Sequence, residues 1–162
     1  MTDLDSHPGR ELSDPESLVV RAWRTIILGH EGCRALGRSF GCQNGIQLIE
    51  AVATFLRALN HGSRHILDVG HPACPNITFD AITSDERQML TVIAAAQADD
   101  ETLLAAHLSW LVRSDRREDV AQAVQALGRL LQARGMYLPL PAPKAFPSRA
   151  MLAIVREESR AS

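Results

Sequence analysis

The sequence predicts an all-α fold, a single-domain bundle of five or six helices with an irregular loop segment at about residues 60–82. The chain has 162 residues, the length of one domain and enough to bury a core without a disulfide or a metal. Hydrophobic residues make up 46% of it but aromatic residues only 4%, so Leu, Ile, Val and Ala must form most of the core. Ala and Leu favour helices, and helix-start signals precede several apolar runs of helical spacing.

The first helix is expected to begin at residue 13, after a polar leader at residues 1–12 that we expect to be disordered. Residues 13–16 read Ser-Asp-Pro-Glu, which combines a capping residue, a first-turn proline and a glutamate at capping-box spacing. Arg21 and Arg24 fall on the polar side of this helix. Its apolar face comprises Leu18, Val19, Ala22, Trp23, Ile26 and Ile27.

A second helix is expected at about residues 45–59, with Gly62 lying past its end, where glycine is common. Pro72 and Pro75 exclude a regular helix from the next stretch, in which residues 65–69 are candidates for a short extended segment. The predicted buried stripe of the second helix comprises Ile49, Val52, Ala53, Leu56 and Leu59.

Three more helices are expected after residue 82, with very short connections that favour antiparallel neighbours. A capping box at residues 83–86 opens the first, and an aspartate pair at residues 99–100 caps the second. Residues 115–118 are expected to cap the third, which ends at Gly135. The predicted buried stripes comprise Met89, Leu90, Ile93, Ala94 and Ala96, then Leu103, Leu104, His107, Leu108 and Leu111, then Val120, Val124, Leu127 and Leu131.

The helical domain is therefore expected to span residues 13–135, followed by a tethered helix. Residues 136–147 contain four prolines, which predict a semi-rigid linker of polyproline character. Residues 148–162 are expected to form the C-terminal helix, which either binds a partner through i, i+3 and i+4 anchors or completes the chain's own bundle. The predicted partner-binding residues of this helix are Met151, Leu152, Ile154 and Val155.

Two His-x-x-Cys pairs, with a third cysteine between them, predict a metal site. Ligands three residues apart can converge on one side of a tight turn, as tetrahedral zinc requires. Imidazole and thiolate favour zinc over magnesium or calcium, with iron as an alternative. The candidate metal ligands are His30, Cys33, Cys42, His71 and Cys74. The competing interpretations are that the cysteines are small buried hydrophobes, or that a neighbouring histidine activates one thiol.

Other patterns leave alternatives open. A glycine at every fourth position from residue 37 to 45 suits either close helix packing or an anion at a helix start. Trp23 and Trp110 are expected in the core or at a partner surface, where tryptophan is enriched. His107 is expected at the core or its rim, with haem ligation as the alternative. A helix at residues 115–134 could serve as a DNA-recognition helix, but its acidic residues would approach the bases.

Composition limits the class of protein. The formal net charge of −2 opposes a partner that is held mainly through phosphates. No apolar run approaches the ~20 residues that cross a bilayer, and the start lacks the features of a signal peptide. Three cysteines cannot form an even disulfide framework, so we expect a cytoplasmic protein with reduced thiols. Lys144 is the single lysine among 17 basic residues, a bias typical of GC-rich bacterial genomes.

The functional expectation that follows is a non-catalytic bacterial regulatory or adaptor protein that acts through a protein partner or as a homo-oligomer. It depends on the absence of a catalytic motif and on the apolar helix after the proline-rich tether. The alternative is a small metalloprotein or metal-responsive sensor with zinc or iron at the His/Cys cluster. An enzyme of unknown type is the third interpretation.

Overall fold

The helices of this protein are seen in a computed structural model that describes residues 11–28, 42–70 and 81–140. Five α-helices pack together in these ranges, which contain no strand, so the predicted all-α fold is confirmed. The helices are α1 (Asp14–Leu28), α2 (Cys42–Gly62), α3 (Ser84–Gln97), α4 (Glu101–Leu111) and α5 (Arg117–Gln132), with a 3₁₀ turn at Ser114–Arg116 before α5.

Local capping bonds start three of these helices, as the sequence predicts. At the start of α1, the Ser13 N–H and hydroxyl donate to Glu16 Oε2 at 2.8 and 2.9 Å. The capping box of α3 is complete, with Glu86 N–H donating to Thr83 Oγ1 at 3.1 Å and Thr83 N–H donating to Glu86 Oε2 at 2.9 Å. Asp100 caps α4 by accepting from the Leu103 N–H at 2.9 Å.

The prediction that residues 115–118 cap α5 is wrong. The N-cap residue of α5 is Arg116, and its side chain makes no capping hydrogen bond. Asp115 instead lies within the 3₁₀ turn, which runs directly into the α-helix, so its carboxylate is not at the capping position. The other end of α5 matches the expectation. Gly135 adopts a positive φ of 69°, and Met136 N–H donates to Leu131 O at 3.0 Å, which closes a Schellman-type helix end.

The core forms around α3, which packs against α1, α4 and α5, while α2 packs mainly on α5. Every residue from 92 to 97 is buried, so the second half of α3 is surrounded by protein. Trp23 is fully buried, as one of the two sequence interpretations expects. The predicted stripe of α2 is rotated slightly, because Leu48 and Phe55 are buried while Ile49 and Ala53 are half-buried. Among the described helices, none is both long and apolar enough to cross a membrane.

Gly62 is not a residue past a helix end but the last residue of α2. A Cβ atom at this position would lie 2.9 Å from Val112 Cγ1 and 2.9 Å from Arg116 Cβ. The chain between α4 and α5 therefore crosses directly over this glycine. Arg113 N–H donates to Gly62 O at 2.8 Å and Arg64 N–H donates to Leu111 O at 3.0 Å, which fixes the crossing.

Arg24 corrects the sequence analysis, which places it on the polar side of α1. Its side chain is 1% exposed and donates from Nε to Glu86 Oε1 at 2.7 Å and from Nη2 to Glu86 Oε2 at 2.8 Å. Glu86 is fully buried. The physical reason is that the N-terminal end of α3, 62 residues further along the chain, lies against this side of α1 and supplies the opposite charge.

The irregular segment at residues 65–70 closes over this ion pair. Gly70 N–H donates to Glu86 Oε1 at 3.1 Å, and a Cβ atom on Gly70 would overlap the Arg24 guanidinium. Asp68 N–H donates to Asp85 Oδ2 at 2.8 Å. The segment thus has an ordered path without regular secondary structure, because its backbone donors bind two carboxylates of α3.

Replacing Arg24 with Leu is expected to lower the free energy of unfolding by about 3–5 kcal/mol, because the variant leaves the Glu86 carboxylate buried without its counter-charge. Urea denaturation followed by circular dichroism measures the effect. Arg57→Leu, on the exposed side of α2, is the matched control and should change stability by less than about 0.5 kcal/mol. Equal effects of the two substitutions would contradict a structural role for the ion pair.

Gly62→Ala is expected to destabilise the protein by about 1–3 kcal/mol, because the added methyl group forces the α4–α5 crossing to shift. Gly128→Ala, also within a helix, is the control, since its Cβ would meet no described atom closer than 3.4 Å. Alanine there should be neutral or stabilise by up to about 1 kcal/mol. Thermal and urea denaturation of both variants measure the difference, and a stabilising Gly62→Ala would refute the close crossing.

Candidate functional site

The predicted metal ligands fall almost entirely outside the described residues. This holds for His30, Cys33, His71 and Cys74, while Cys42 is the first residue of α2 and its side chain is also outside the description. Within the described ranges, no group of three or more His, Cys, Asp or Glu side chains could hold a metal ion. The zinc site therefore stays a prediction from the sequence.

The predicted partner-binding residues Met151, Leu152, Ile154 and Val155 also lie outside the described residues. The structure does show where the chain leaves the bundle. Gln97 Nε2 donates to Met136 O at 2.8 Å, and Leu138 N–H donates to Gln97 Oε1 at 2.8 Å. The side chain of Leu138 is buried against the core. The C-terminal part of the chain therefore leaves the bundle beside Gln97, the last residue of α3.

The buried Arg24–Glu86 pair is a structural element that has no room for a ligand. Both Glu86 carboxylate oxygens accept hydrogen bonds from Arg24, and each also accepts a backbone N–H. At its edge, His65 Nε2 lies 3.0 Å from both carboxylate oxygens of Asp85, and the His65 side chain is 50% exposed. In a nucleophilic site, a carboxylate often orients a histidine, and the histidine activates a Ser, Thr or Cys nucleophile. Among the described residues, no Ser, Thr or Cys side chain hydrogen-bonds this ring.

A basic cluster surrounds a cavity of about 520 Å³ that is lined by Ala58, His61, Arg113, Arg116 and Asp119. Arg113 Nη2 donates to His61 O at 2.7 Å, so one guanidinium binds the C-terminal end of α2. Arg116 Nη1 lies 3.3 Å from Asp119 Oδ2. These arginines stabilise helix ends and local carboxylates, and the Asp119 carboxylate in the lining opposes the binding of an anion.

The outer face of α4 is defined by the exposed Thr102, Ala106 and Trp110 with the half-buried Leu103 and His107. Trp110 is 77% exposed. No Asp, Glu, Lys or Arg occurs from residue 102 to residue 112. Burial lowers the pKa of His107 from its ordinary value, which favours the neutral ring. Its Nδ1 lies 2.6 Å from Gln88 Oε1 on α3, which fixes the ring at the edge of this face.

A second surface of α4 forms a cleft with α5, of about 290 Å³. Leu104, Ala105, Leu108 and Ala121 provide its apolar floor. Four polar side chains surround this floor: Glu101, Arg117, Glu118 and Gln125. We call this surface the α4–α5 cleft. It lies on the far side of α4 from Trp110, because at about 100° per residue Leu104, Ala105 and Leu108 point roughly 120°, 140° and 160° away from Trp110.

The sequence analysis leaves open whether Trp110 lies in the core or at a surface, and the structure places it on the surface. The spacing of the apolar residues in the sequence already indicates this exposure. The buried residues of α4 are Leu104, Leu108 and Leu111, and position 110 is two residues after Leu108, which in a helix points away from that stripe.

No protein-family model, no curated protein and no solved structure matches this chain. The surfaces of α4 are therefore judged on their chemistry alone.

His107→Gln is expected to reduce the pH dependence of stability between neutral and mildly acidic conditions. The unfolded chain has a His pKa near 6.5, whereas burial lowers the folded pKa of His107. In the window between these values the unfolded state binds more protons, so the wild-type free energy of unfolding falls as pH decreases. Urea denaturation at several pH values should show wild type losing more stability than the variant on acidification. Parallel losses would contradict the assignment, as would an NMR titration of His107 with an unshifted pKa.

Proposed function

We propose that this chain is a non-catalytic regulatory or adaptor protein that binds another protein through the outer face of α4. The observation that carries the proposal is Trp110, a large aromatic side chain that is 77% exposed on a helix face without formal charge. Tryptophan is among the residue types enriched in the hot spots that dominate interface energies, where truncation costs about 2 kcal/mol or more.

The surroundings of Trp110 favour contact with a second surface. Ala106 lies one helical turn before it and Thr102 two turns before it, so small side chains flank the indole and let a partner backbone approach closely. Leu103 and His107 are half-buried beside them and add rigid apolar area. Because the supporting helix is packed on α3 and α5, a partner would meet a preorganised face, which reduces the entropy cost of binding.

The chemistry of the face also defines the partner. Without formal charges between residues 102 and 112, the face offers nothing to neutralise nucleic-acid phosphates or charged headgroups. A complementary partner surface is uncharged and apolar at its centre, with a pocket that receives the indole. Binding of this kind is driven by burial of apolar area and responds little to ionic strength.

Trp110→Ala is expected to weaken partner binding at least about tenfold, corresponding to 1.4 kcal/mol or more. Affinity purification from a bacterial extract would compare wild type, Trp110→Ala and the control Tyr137→Ala, whose side chain is also exposed, at 62%. The expected partner binds wild type and the control equally in low and high salt, and is lost from Trp110→Ala. Partners that bind all three baits, or that dissociate in salt, would contradict the proposal.

Self-association is tested on the same proteins. In sedimentation experiments, purified wild type and Trp110→Ala are expected to have the same oligomeric state. A dimer that forms in wild type and is lost in Trp110→Ala would identify a second copy as the partner and contradict the binding of a different protein at this face.

A further inference from the structure

We propose that the α4–α5 cleft binds the C-terminal segment of the same chain, residues 148–158, in the helical form that its sequence predicts. This interaction is independent of the proposed function, because the cleft and the outer face lie on opposite sides of α4. Three features support it: the shape and chemistry of the cleft, the position at which the chain leaves the bundle, and the spacing of the apolar residues and the two arginines of the segment.

The cleft has the shape to receive side chains from one face of a helix. Leu104 and Leu108 are buried and form its base, while Ala105 and Ala121 leave space because their side chains are short. A cleft of about 290 Å³ is at the lower limit of small-molecule pockets. It is more suited to a few aliphatic side chains that project from an amphipathic helix.

The chain leaves the bundle beside one end of this cleft. Gln97, which binds Met136 and Leu138, lies four residues before Glu101. Gln97 also contacts α5 near Gly128, where a Cβ would meet Gln97 Cγ at 3.4 Å. Gln125 is one helical turn from Gly128 and lines the cleft. The C-terminal segment therefore starts its path near the end of the cleft formed by Glu101 and Gln125.

The connecting residues are long enough to reach either end of the cleft. Residues 141–147 include three prolines, and an extended chain of this composition covers about 3.1 Å per residue, or roughly 20 Å in all. The floor from residue 101 to residue 108 extends about 10 Å along α4. Because the segment is covalently attached, its effective concentration at the cleft is in the millimolar range, so modest contacts are sufficient for occupancy.

Two basic residues of the segment, Arg149 and Arg156, are opposite in charge to the glutamates at the ends of the cleft, while its two acidic residues, Glu157 and Glu158, follow at its C-terminal end. Glu101 lies at the N-terminal end of α4, and Glu118 lies at the other end of the cleft, since α5 follows α4 through a short turn. Neither glutamate forms an ion pair with a described residue. Arg149 and Arg156 are seven residues apart, which in a helix places them on one face about 10 Å apart. This spacing matches the length of the cleft.

The apolar residues of the segment suit the floor of the cleft. Met151, Leu152 and Val155 fall on one side of a helix, with Arg149 and Arg156 along its edge. Arg117 also lines the cleft, and its positive charge would repel the arginines of a docked helix. This repulsion is weak because Arg117 Nε donates to Val112 O at 3.5 Å, at the end of α4. The docked helix would thus cover aliphatic floor and place an arginine near each glutamate.

Hydrogen exchange of the full-length chain, measured by mass spectrometry, tests this docking. Amides of residues 150–158 are expected to exchange at least about tenfold more slowly than an unstructured chain. Ala105→Arg, which places a long cation over the cleft floor, should abolish this protection. Ala126→Arg, at an alanine of α5 that is also exposed but does not line the cleft, should retain it. The amides of α3 report in the same experiment that each variant is folded.

A charge exchange gives a second, independent readout. The double variant Glu101→Arg and Glu118→Arg should lose the protection of residues 150–158, and adding Arg149→Glu and Arg156→Glu should restore it. Protection that is unchanged on dilution supports docking within one chain. Three results would overturn the proposal: a wild-type segment without protection, equal loss in Ala126→Arg, or protection that decreases on dilution, which would identify a second copy as the occupant.

Discussion

Burying the Arg24 guanidinium and the Glu86 carboxylate removes both ions from water, at a cost of several kcal/mol for each ion unless their hydrogen-bonding capacity is satisfied. The described fold meets this requirement with partners from three parts of the chain. Glu86 receives Arg24, the N–H of its own cap residue Thr83, and the Gly70 N–H, while Arg24 also donates to Ala81 O at 3.3 Å. The pair joins α1 to the start of α3, and through the Gly70 N–H it also holds the end of the segment at residues 65–70.

The opposite end of α3 is closed by a neutral polar residue. The Gln97 side chain donates to Met136 O and accepts from Leu138 N–H, and Gln132 Nε2 donates to Gln97 O at 2.6 Å. The central helix therefore has a charged network at its N-terminal end, an amide network at its C-terminal end, and an apolar middle. An amide can satisfy backbone groups without the desolvation cost of an ion, which suits the end at which the chain leaves the bundle.

In the described part of the chain, α4 supplies two surfaces for binding, and they differ in chemistry. The outer face is uncharged and centred on Trp110, so contacts there would depend on apolar area and tolerate salt. The α4–α5 cleft has an apolar floor with Glu101 and Glu118 at its ends, so contacts there would select a basic edge and weaken as salt increases. One helix of 11 residues can thus carry two separate interactions, because opposite sides of a helix share no side chains.

The helical class and most helix starts were predictable from the sequence, since a capping bond joins residues three apart and a buried stripe repeats every turn. Residues 13–16 and 83–86 illustrate this, and the buried stripe of α5 was also foreseen. The burial of Arg24 and the close crossing at Gly62 were not predictable, because each depends on a partner about 50 or more residues away. For the candidate sites, the sequence pointed to residues outside the described ranges, and it left Trp110 undecided. Capping hydrogen bonds and apolar periodicity depend on residues close together in the sequence, so the sequence by itself determines them. The partner of a buried charge and the exposure of a helix face are decided only when distant helices pack together.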